Sequence, residues 1–457
     1  MKNRSVIPVL ASVFAAFAIT LLLVSAKAAL VVFAGGIVGT IVFFYPYQGL
    51  LIYLTMTYLR PQEFIPALNE QPLMLALAFV LLGTLILHTA IEKRPMKVVN
   101  TRQSIFMLIF FLLIPLSHLQ RFYLTGAQES FSDFLPVFLL FFMIINLIVD
   151  PKQLKQTFYL LFFMTLALSL NGILQYVRGY DIAGQTMYEG RIRWIGIFSD
   201  PNDLGLTILA FTPFAMLKSL DKKVGILKRA LWVLSLIILI YALYLTNSRG
   251  TFLGLLAVST MLLCKKIGLL RGLFIGAVFS TVALALGPSR MADMSIDEAS
   301  ASGRIDAWAT GLNLLLWRPV LGVGYHGFTE HHHLTAHNSV VLCMSELGLA
   351  GLYVWLLLIV SSFREMILVQ KIAIEGEYAE YAEVMQLSLT GFFVSAFFLS
   401  RTYNEVLFIL IALSTLISVF SRKRFDYKIH LLDRSLLIST FVFMILLIVV
   451  IKILVMI

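Results

Sequence analysis

Among the side chains able to do chemistry, His337 has the most suggestive setting. His326, His331, His332, His333 and His337 are five of the chain's eight histidines, and they fall within a dozen residues. An apolar run follows His337-Asn338-Ser339, so the sequence places this histidine at the mouth of a membrane helix expected to begin at about residue 337. In the first turn of such a helix the backbone donors are free and the dipole favours anions. Asn338 and Ser339 are thus candidates for contact with an anionic substrate. An imidazole there, titrating near neutral pH, suits a general base. The consecutive His331, His332 and His333 diverge in any regular structure and lack metal-ligand spacing. With no converging carboxylate or thiol, they read as a polar surface loop, and no metal site is expected. Glu346 lies nine residues beyond His337. At about 100° per residue, that is about half a turn away from the face of His337. It reads as a buried, hydrogen-bonded carboxylate.

Four arginines are candidates for holding the anion. Arg191 and Arg193 lie in EGRIRWIGIFSDPNDLG, residues 189–205. Residues two apart in an extended segment share a face, so the pair is placed to grip one anion together. The alternative is two interfacial arginines paired with Glu189 or with lipid headgroups. Asp200, Asn202 or Asp203 is expected to cap the following helix. Arg249 sits at the apex of a tight turn in NSRGTFLG, residues 247–254. Arg304 opens GRIDAWATGLNLLLW, an expected amphipathic interfacial helix with Trp308 and Trp317 at headgroup level. A three-glycine turn, WRPVLGVGYHGF, leads from it towards His337.

These residues need a scaffold, and composition says which. The chain has 457 residues, is 60% hydrophobic and only 13% charged. A soluble protein would be about a quarter charged. Apolar runs recur along nearly the whole sequence, each long enough or nearly so to cross ~30 Å of hydrocarbon as a helix. They are continuously apolar, not alternating, which excludes a β-barrel. The expected fold is all-α: a polytopic membrane helical bundle with about 12–15 transmembrane helices. Three parts are expected: amino-terminal helices over 1–154, a core over 155–420 containing an external loop at 288–336, and a last helix within 421–457. The amino terminus could pass for a signal peptide but reads better as an uncleaved first helix. Cys264 and Cys343 imply neither disulfide nor zinc site.

The net charge of +10 is carried by short loops, which favours topology signals over nucleic-acid binding. Lys93, Arg94, Lys97 and Arg102 form one basic loop. Lys218, Lys222, Lys223, Lys228 and Arg229 form a second, Lys265, Lys266 and Arg271 a third, and Arg422, Lys423, Arg424 and Lys428 a fourth. With the amino terminus inside, all four fall on the cytoplasmic side. The opposite loops 121–132, 173–202, 247–249, 288–336 and 401–403 carry Arg121, Arg178, Arg191, Arg193, Arg249, Arg290, Arg304, Arg318 and Arg401, and lysine is assigned outside only at Lys27 and Lys452. Arginine's planar fork matches phosphate oxygens and keeps its charge at any pH. The outer face therefore reads as suited to a phosphate-bearing partner, against the alternative that topology excluded lysine and left arginine by chance. The stretch 361–384 reads as a solvated connector.

Three motifs carry a resemblance: Arg193-Trp-Ile-Gly196 with Pro201-Asn202; Ser248-Arg249-Gly250; and Gly303-Arg304, Trp308, Arg318-Pro319, Gly322-Val-Gly324, Ala336-His337-Asn338-Ser339 and Glu346-Leu-Gly348. Together they resemble the O-antigen ligase/polymerase superfamily over roughly residues 155–420. The first 70 residues look similar to a branch described as exosortase-associated O-glycosylation ligases. The resemblance implies an inverting, metal-independent glycosyltransferase without cofactor, acting at the periplasmic face of the bacterial inner membrane. Its donor would be a glycan on undecaprenyl pyrophosphate. Its acceptor would be a hydroxyl of lipid A–core, another glycan or a protein. His337 would be the base on that hydroxyl; Arg193, Arg249 and Arg304 would bind the donor pyrophosphate, with Arg191 beside the matching position. His331–His333 depart from the family pattern. The competing readings are a polymerase of the same superfamily, a lipid-linked oligosaccharide flippase, and a non-catalytic assembly protein.

Overall fold

A segment inside hydrocarbon must satisfy every backbone N–H and C=O itself, which turns the apolar runs into helices. The computed structural model describes residues 2–23, 26–65, 73–92, 100–285, 298–374, 376–431 and 433–456. The expectations on Lys93, Arg94, Lys97 and Arg290 lie outside them. The described residues open with α1 (Lys2–Leu23), α2 (Ala26–Phe44), α3 (Pro46–Leu59), the one-turn α4 (Pro61–Phe64) and α5 (Leu73–Glu92). Then come α6 (Arg102–Leu119), α7 (Leu124–Leu147), α8 (Pro151–Arg178), α9 (Pro201–Leu220), α10 (Ile226–Leu245), α11 (Arg249–Ile267) and α12 (Leu269–Ala285). The chain closes with α13 (Glu298–Trp317), α14 (Ser339–Ala373), α15 (Glu377–Ala396), α16 (Glu405–Phe425) and α17 (Arg434–Met456). The fold is an all-α membrane bundle. Ten of these helices are long and apolar enough to cross a bilayer, and Ser12–Leu21, Gly35–Phe44 and Leu269–Val282 are shorter apolar helical stretches.

α14 is the axis of the bundle. It packs against α6, α13, α15, α16 and α17, and most of its apolar window is buried, as is that of α16. The windows of α10 and α17 are mostly exposed, as befits helices facing lipid. Packing of α6 on α14 and of α7 on α16 runs across the boundary expected at residue 154.

Two sequence expectations change here. The apolar helix does not stop near residue 360. α14 continues to Ala373, with Ser361, Ser362, Glu365, Met366 and Val369 buried. The stretch 361–384 is therefore a packed helix end, a short turn and the start of α15, not a solvated connector. Mixed charge misled the reading, because Ser361, Ser362 and Glu365 are buried in the packing while Lys371 and Glu377 are exposed.

The second change concerns how α14 starts and bends. Its first helical residue is Ser339, so His337 precedes the helix in a left-handed conformation, φ 49°. Nine residues into the helix, Gly348 takes φ 65° and breaks the hydrogen-bond ladder. The Pro319–Gly324 turn repairs that break. Val323 and Gly324 donate to the carbonyls of Ser345 and Glu346, while Leu349 and Ala350 donate to the carbonyls of Pro319 and Val320. All four hydrogen bonds need close approach from both sides. A Cβ on Gly322 would lie 2.3 Å from the Glu346 carbonyl carbon, and one on Gly348 2.3 Å from the Val320 oxygen. Both glycines also have positive φ, so the two motifs answer one geometric requirement.

Candidate functional site

The His337 end of this axis carries the carboxyl ends of α8, α10, α13 and α15 and the amino ends of α9, α11, α14 and α16. Asn338 caps α14: its Oδ1 accepts from the backbone N–H of Val340 at 2.9 Å and of Val341 at 3.2 Å. Asn338 is fully buried, and its Nδ2 has no hydrogen-bond partner. The side chain expected to meet substrate thus spends its oxygen on the helix itself. Ser339 is also committed, donating to the Leu399 carbonyl and accepting from the backbone N–H of Arg401.

Arg304 arrives through α13. One turn further along, buried Trp308 donates its indole N–H to the Ala336 carbonyl at 3.0 Å, beside His337. Gly311 lets α13 approach α14, since a Cβ there would fall 2.3 Å from Val341. Trp308 is therefore an anchor inside the protein, not a headgroup-level residue; Trp317 is exposed. Arg249 opens α11, after Ser248 at the N-cap. Gly250 seats that helix against Ser395, Phe398 and Leu399.

Arg249 and Arg304 are both half-buried. Among the described residues, no hydrogen bond or ion pair engages either guanidinium. Burial, and then the charge of Arg249, hold Arg304 below its ordinary pKa. Among the described residues these two neighbouring cations have no counterion, an arrangement that an anion would stabilise. His337 is half-buried beside them. Burial first, and then the charges of Arg304 and Arg401, keep its imidazole below the ordinary histidine value, with Asp200 opposing. These influences favour the neutral, proton-accepting imidazole.

Arg191 and Arg193 are differently occupied. Glu189 and Gly190, both at positive φ, make a turn closed by the Tyr188–Arg191 bridge. Arg191 is buried, donating from Nε to the Thr246 carbonyl at 2.8 Å and from a terminal nitrogen to Asn202 Oδ1 at 2.9 Å. Arg193 donates from Nε to the Thr186 carbonyl at 3.1 Å, and its guanidinium lies 5.5 Å from the Tyr188 ring centre. The hydrogen bonds of the two arginines go to different partners, Arg191 to Thr246 and Asn202 and Arg193 to Thr186, so the pair does not form a single grip. Trp194 is buried and bonded to the Tyr58 carbonyl, tying this segment to α3.

The sequence placed Arg401 among the outer-face arginines but gave it no partner. It pairs with Asp203, and with Asp200 at 2.6 Å. Burial works against its charge, but Asp203 and Asp200 outweigh it and raise its pKa. Asp200 also caps α9 by accepting from the Asn202 N–H. A continuous chain, Arg191–Asn202–Asp200–Arg401–Asp203, thereby ties the 191–203 segment to the α15–α16 connection. The available signal was an arginine in a very short outer turn facing an acid-rich Asp-Pro-Asn-Asp.

The three consecutive histidines separate. His332 is buried, its Nε2 3.1 Å from Asp306 Oδ2 and its Nδ1 accepting from the Leu334 N–H. It fixes the loop to α13 and is not a surface residue; His331 and His333 are exposed. Among the described residues, no group of three or more metal-ligating side chains gathers. Glu346 is buried as expected, accepting from the Tyr403 hydroxyl at 2.8 Å and from the Phe328 N–H at 3.3 Å. It borders a cavity of about 760 Å³ that also meets Asp133, Tyr325, His326, Arg401 and Tyr403.

The arrangement can receive a phosphate-bearing group at Arg249 and Arg304 and take a proton at His337. Comparison with known proteins bears on the same segment. The family model described as O-antigen ligase matches residues 234–356, which include Arg249, Arg304, His337 and Asn338. No curated protein matches the chain.

Proposed function

We propose that the chain, whose residues 234–356 match the family model described as O-antigen ligase, is a glycosyltransferase of that family moving a glycan from undecaprenyl pyrophosphate to an acceptor hydroxyl. The observation that carries this reading is that Arg249 and Arg304 act on one another and meet no carboxylate among the described residues, while burial and the charge of Arg304 hold the His337 imidazole below its ordinary pKa. The proposed step is a single inverting displacement. His337 takes the acceptor's proton, the acceptor oxygen bonds to the anomeric carbon, and the bond from that carbon to the pyrophosphate oxygen breaks. Arg304 and Arg249 meet the charge that grows on the leaving pyrophosphate, the work a divalent metal would otherwise do. Arg401 acts at one remove, helping to keep His337 unprotonated while Asp200 and Asp203 neutralise most of its own charge.

Arg193 remains a candidate for the donor's outer phosphate or first sugar. Arg191 and Asn338 fit better as supports, Arg191 fixing Asn202 and Asn338 fixing the start of α14. In this reading the site opens at the periplasmic face of the bacterial inner membrane, and the lipid tail of the donor lies among the helices. Transport is the less economical reading, because these polar groups gather at one end of the bundle instead of the midplane sites of transporters.

Reconstitution with an undecaprenyl-pyrophosphate glycan and a hydroxyl acceptor, with and without chelator, tests the proposal by mass analysis of the products. Transfer that persists in chelator is expected. Donor moved across the bilayer without product would replace this reading with transport.

A further inference from the structure

The other end of α14 carries a second basic site. Arg364 follows Ser339 by 25 residues, roughly 38 Å along the helix, so this end lies across the membrane from His337. A pocket of about 430 Å³ opens there, between the ends of α6 and α14 and the segment leading into α17. Its charged lining is Arg102, Arg364, Lys371 and Lys428 against Glu365 and Asp433. The carboxylates are committed. Arg102 is buried, donates to the His430 carbonyl at 2.6 Å and lies 3.7 Å from Asp433. Glu365 is buried and acts on Arg102 as well. Arg364 is bonded to neutral hydroxyls only, Ser435 at 2.9 Å and Ser439 at 3.3 Å. Lys371 and Lys428 are exposed and make no ion pair among the described residues.

Arg364 also stands at the head of an apolar groove of about 370 Å³ between α14, α15 and α17. Phe363 and Val360 descend from it on α14, Leu389 and Phe393 on α15, and Phe443 on α17. On each helix the sequence runs in the sense that carries these residues from the basic end towards mid-membrane. Cations at headgroup depth above an apolar trough match one kind of ligand, an amphiphile with an anionic head.

We propose that this is a binding site for an anionic phospholipid, its phosphate held by Arg364, Lys371 and Lys428 and one acyl chain lying in the groove. The site is independent of the transferase reading. By the charge pattern of the loops it belongs to the cytoplasmic leaflet.

The test is native mass spectrometry of the purified full-length protein titrated with phosphatidylglycerol, with phosphatidylcholine of the same chains, and with inorganic phosphate as competitor. Phosphatidylglycerol should bind at least tenfold more tightly than phosphatidylcholine. Lys371→Ala with Lys428→Ala, both exposed positions, should weaken it about thirtyfold, at ~1 kcal/mol for each lysine. Val360→Trp, which fills the groove, should weaken it as well. Equal binding of the two lipids, or an unchanged affinity in the lysine variant, would overturn the proposal. Displacement by equimolar inorganic phosphate would show a site for a soluble anion instead.

Discussion

Removing Arg304 should separate binding from stability in a way that few arginines allow. Its guanidinium is half-buried, engages no acceptor among the described residues and is repelled by Arg249. Arg304→Ala therefore breaks no native ion pair and relieves a repulsion, so thermal unfolding of the donor-free protein should not fall. The donor loses its charge-assisted hydrogen bonds. Hydrogen bonds to charged groups contribute ~1.5–3 kcal/mol, which converts to roughly 10- to 150-fold in donor kcat/KM. A second readout follows from linkage. At a donor concentration of ~100 Kd the wild type gains ~2.7 kcal/mol of stability, whereas a variant binding ~100-fold more weakly gains only ~0.4 kcal/mol. Arg304→Lys should fall between, keeping the charge and losing the planar fork. The assay is transfer kinetics with lipid-linked donor, paired with thermal unfolding in detergent with and without donor. A variant that loses more than about 1 kcal/mol without donor and keeps its donor kinetics would refute the reasoning and make Arg304 structural.

The same variant should move a pH profile. His337 must be neutral to act, and Arg304 is one of the charges holding its pKa down. Wild-type kcat/KM should thus lose activity on the acid side below the ordinary ~6.5 of histidine, and Arg304→Ala should shift that limb to higher pH. A limb that stays in place would remove His337 from the neighbourhood of Arg304. Arg401→Ala strands the carboxylates of Asp203 and, more exposed, Asp200. Breaking a largely buried pair costs ~3–5 kcal/mol, so about 3 kcal/mol of destabilisation is expected in thermal unfolding once the exposure of Asp200 is discounted. Gly322→Ala and Gly348→Ala should each cost more than ~3 kcal/mol, because the added Cβ meets backbone that cannot swing away. Gly303→Ala, whose Cβ would lie 3.6 Å from Leu334, is the matched control. Size-exclusion profiles of the three proteins would distinguish them.

What could be read from the sequence were the features encoded locally. Hydropathy marked the helices, and the polar start of α14 was legible within about two residues because Asn338 is a strong cap. The cap of α9 was legible only as Asp200, Asn202 or Asp203, and Asp200 is the residue that takes the role. Burial of Glu346 followed from helical geometry alone. What stayed hidden depends on partners far along the chain. Arg401 meets Asp200 and Asp203 some two hundred positions earlier, so nothing near it announces its role. The glycines of 322–324 looked like a loose turn until the break at Gly348 supplied the groups they bind. His332 looked like its two neighbours, and only Asp306 and Leu334 distinguish it. Arg191 and Arg193 were read as one unit because residues two apart in an extended segment share a face, and their partners, Thr246 and Asn202 against Thr186, lie at other places in the chain.

The central claim is that His337 is the base that activates the acceptor. The most direct measurement is transfer by His337→Asn, chosen because asparagine tolerates the left-handed backbone at this position as histidine does. With the variant folded and still stabilised by donor, the product rate should fall by ~10²- to 10⁴-fold, the usual share of a general base. Transfer within tenfold of wild type, measured by mass analysis of the glycosylated acceptor, would contradict it.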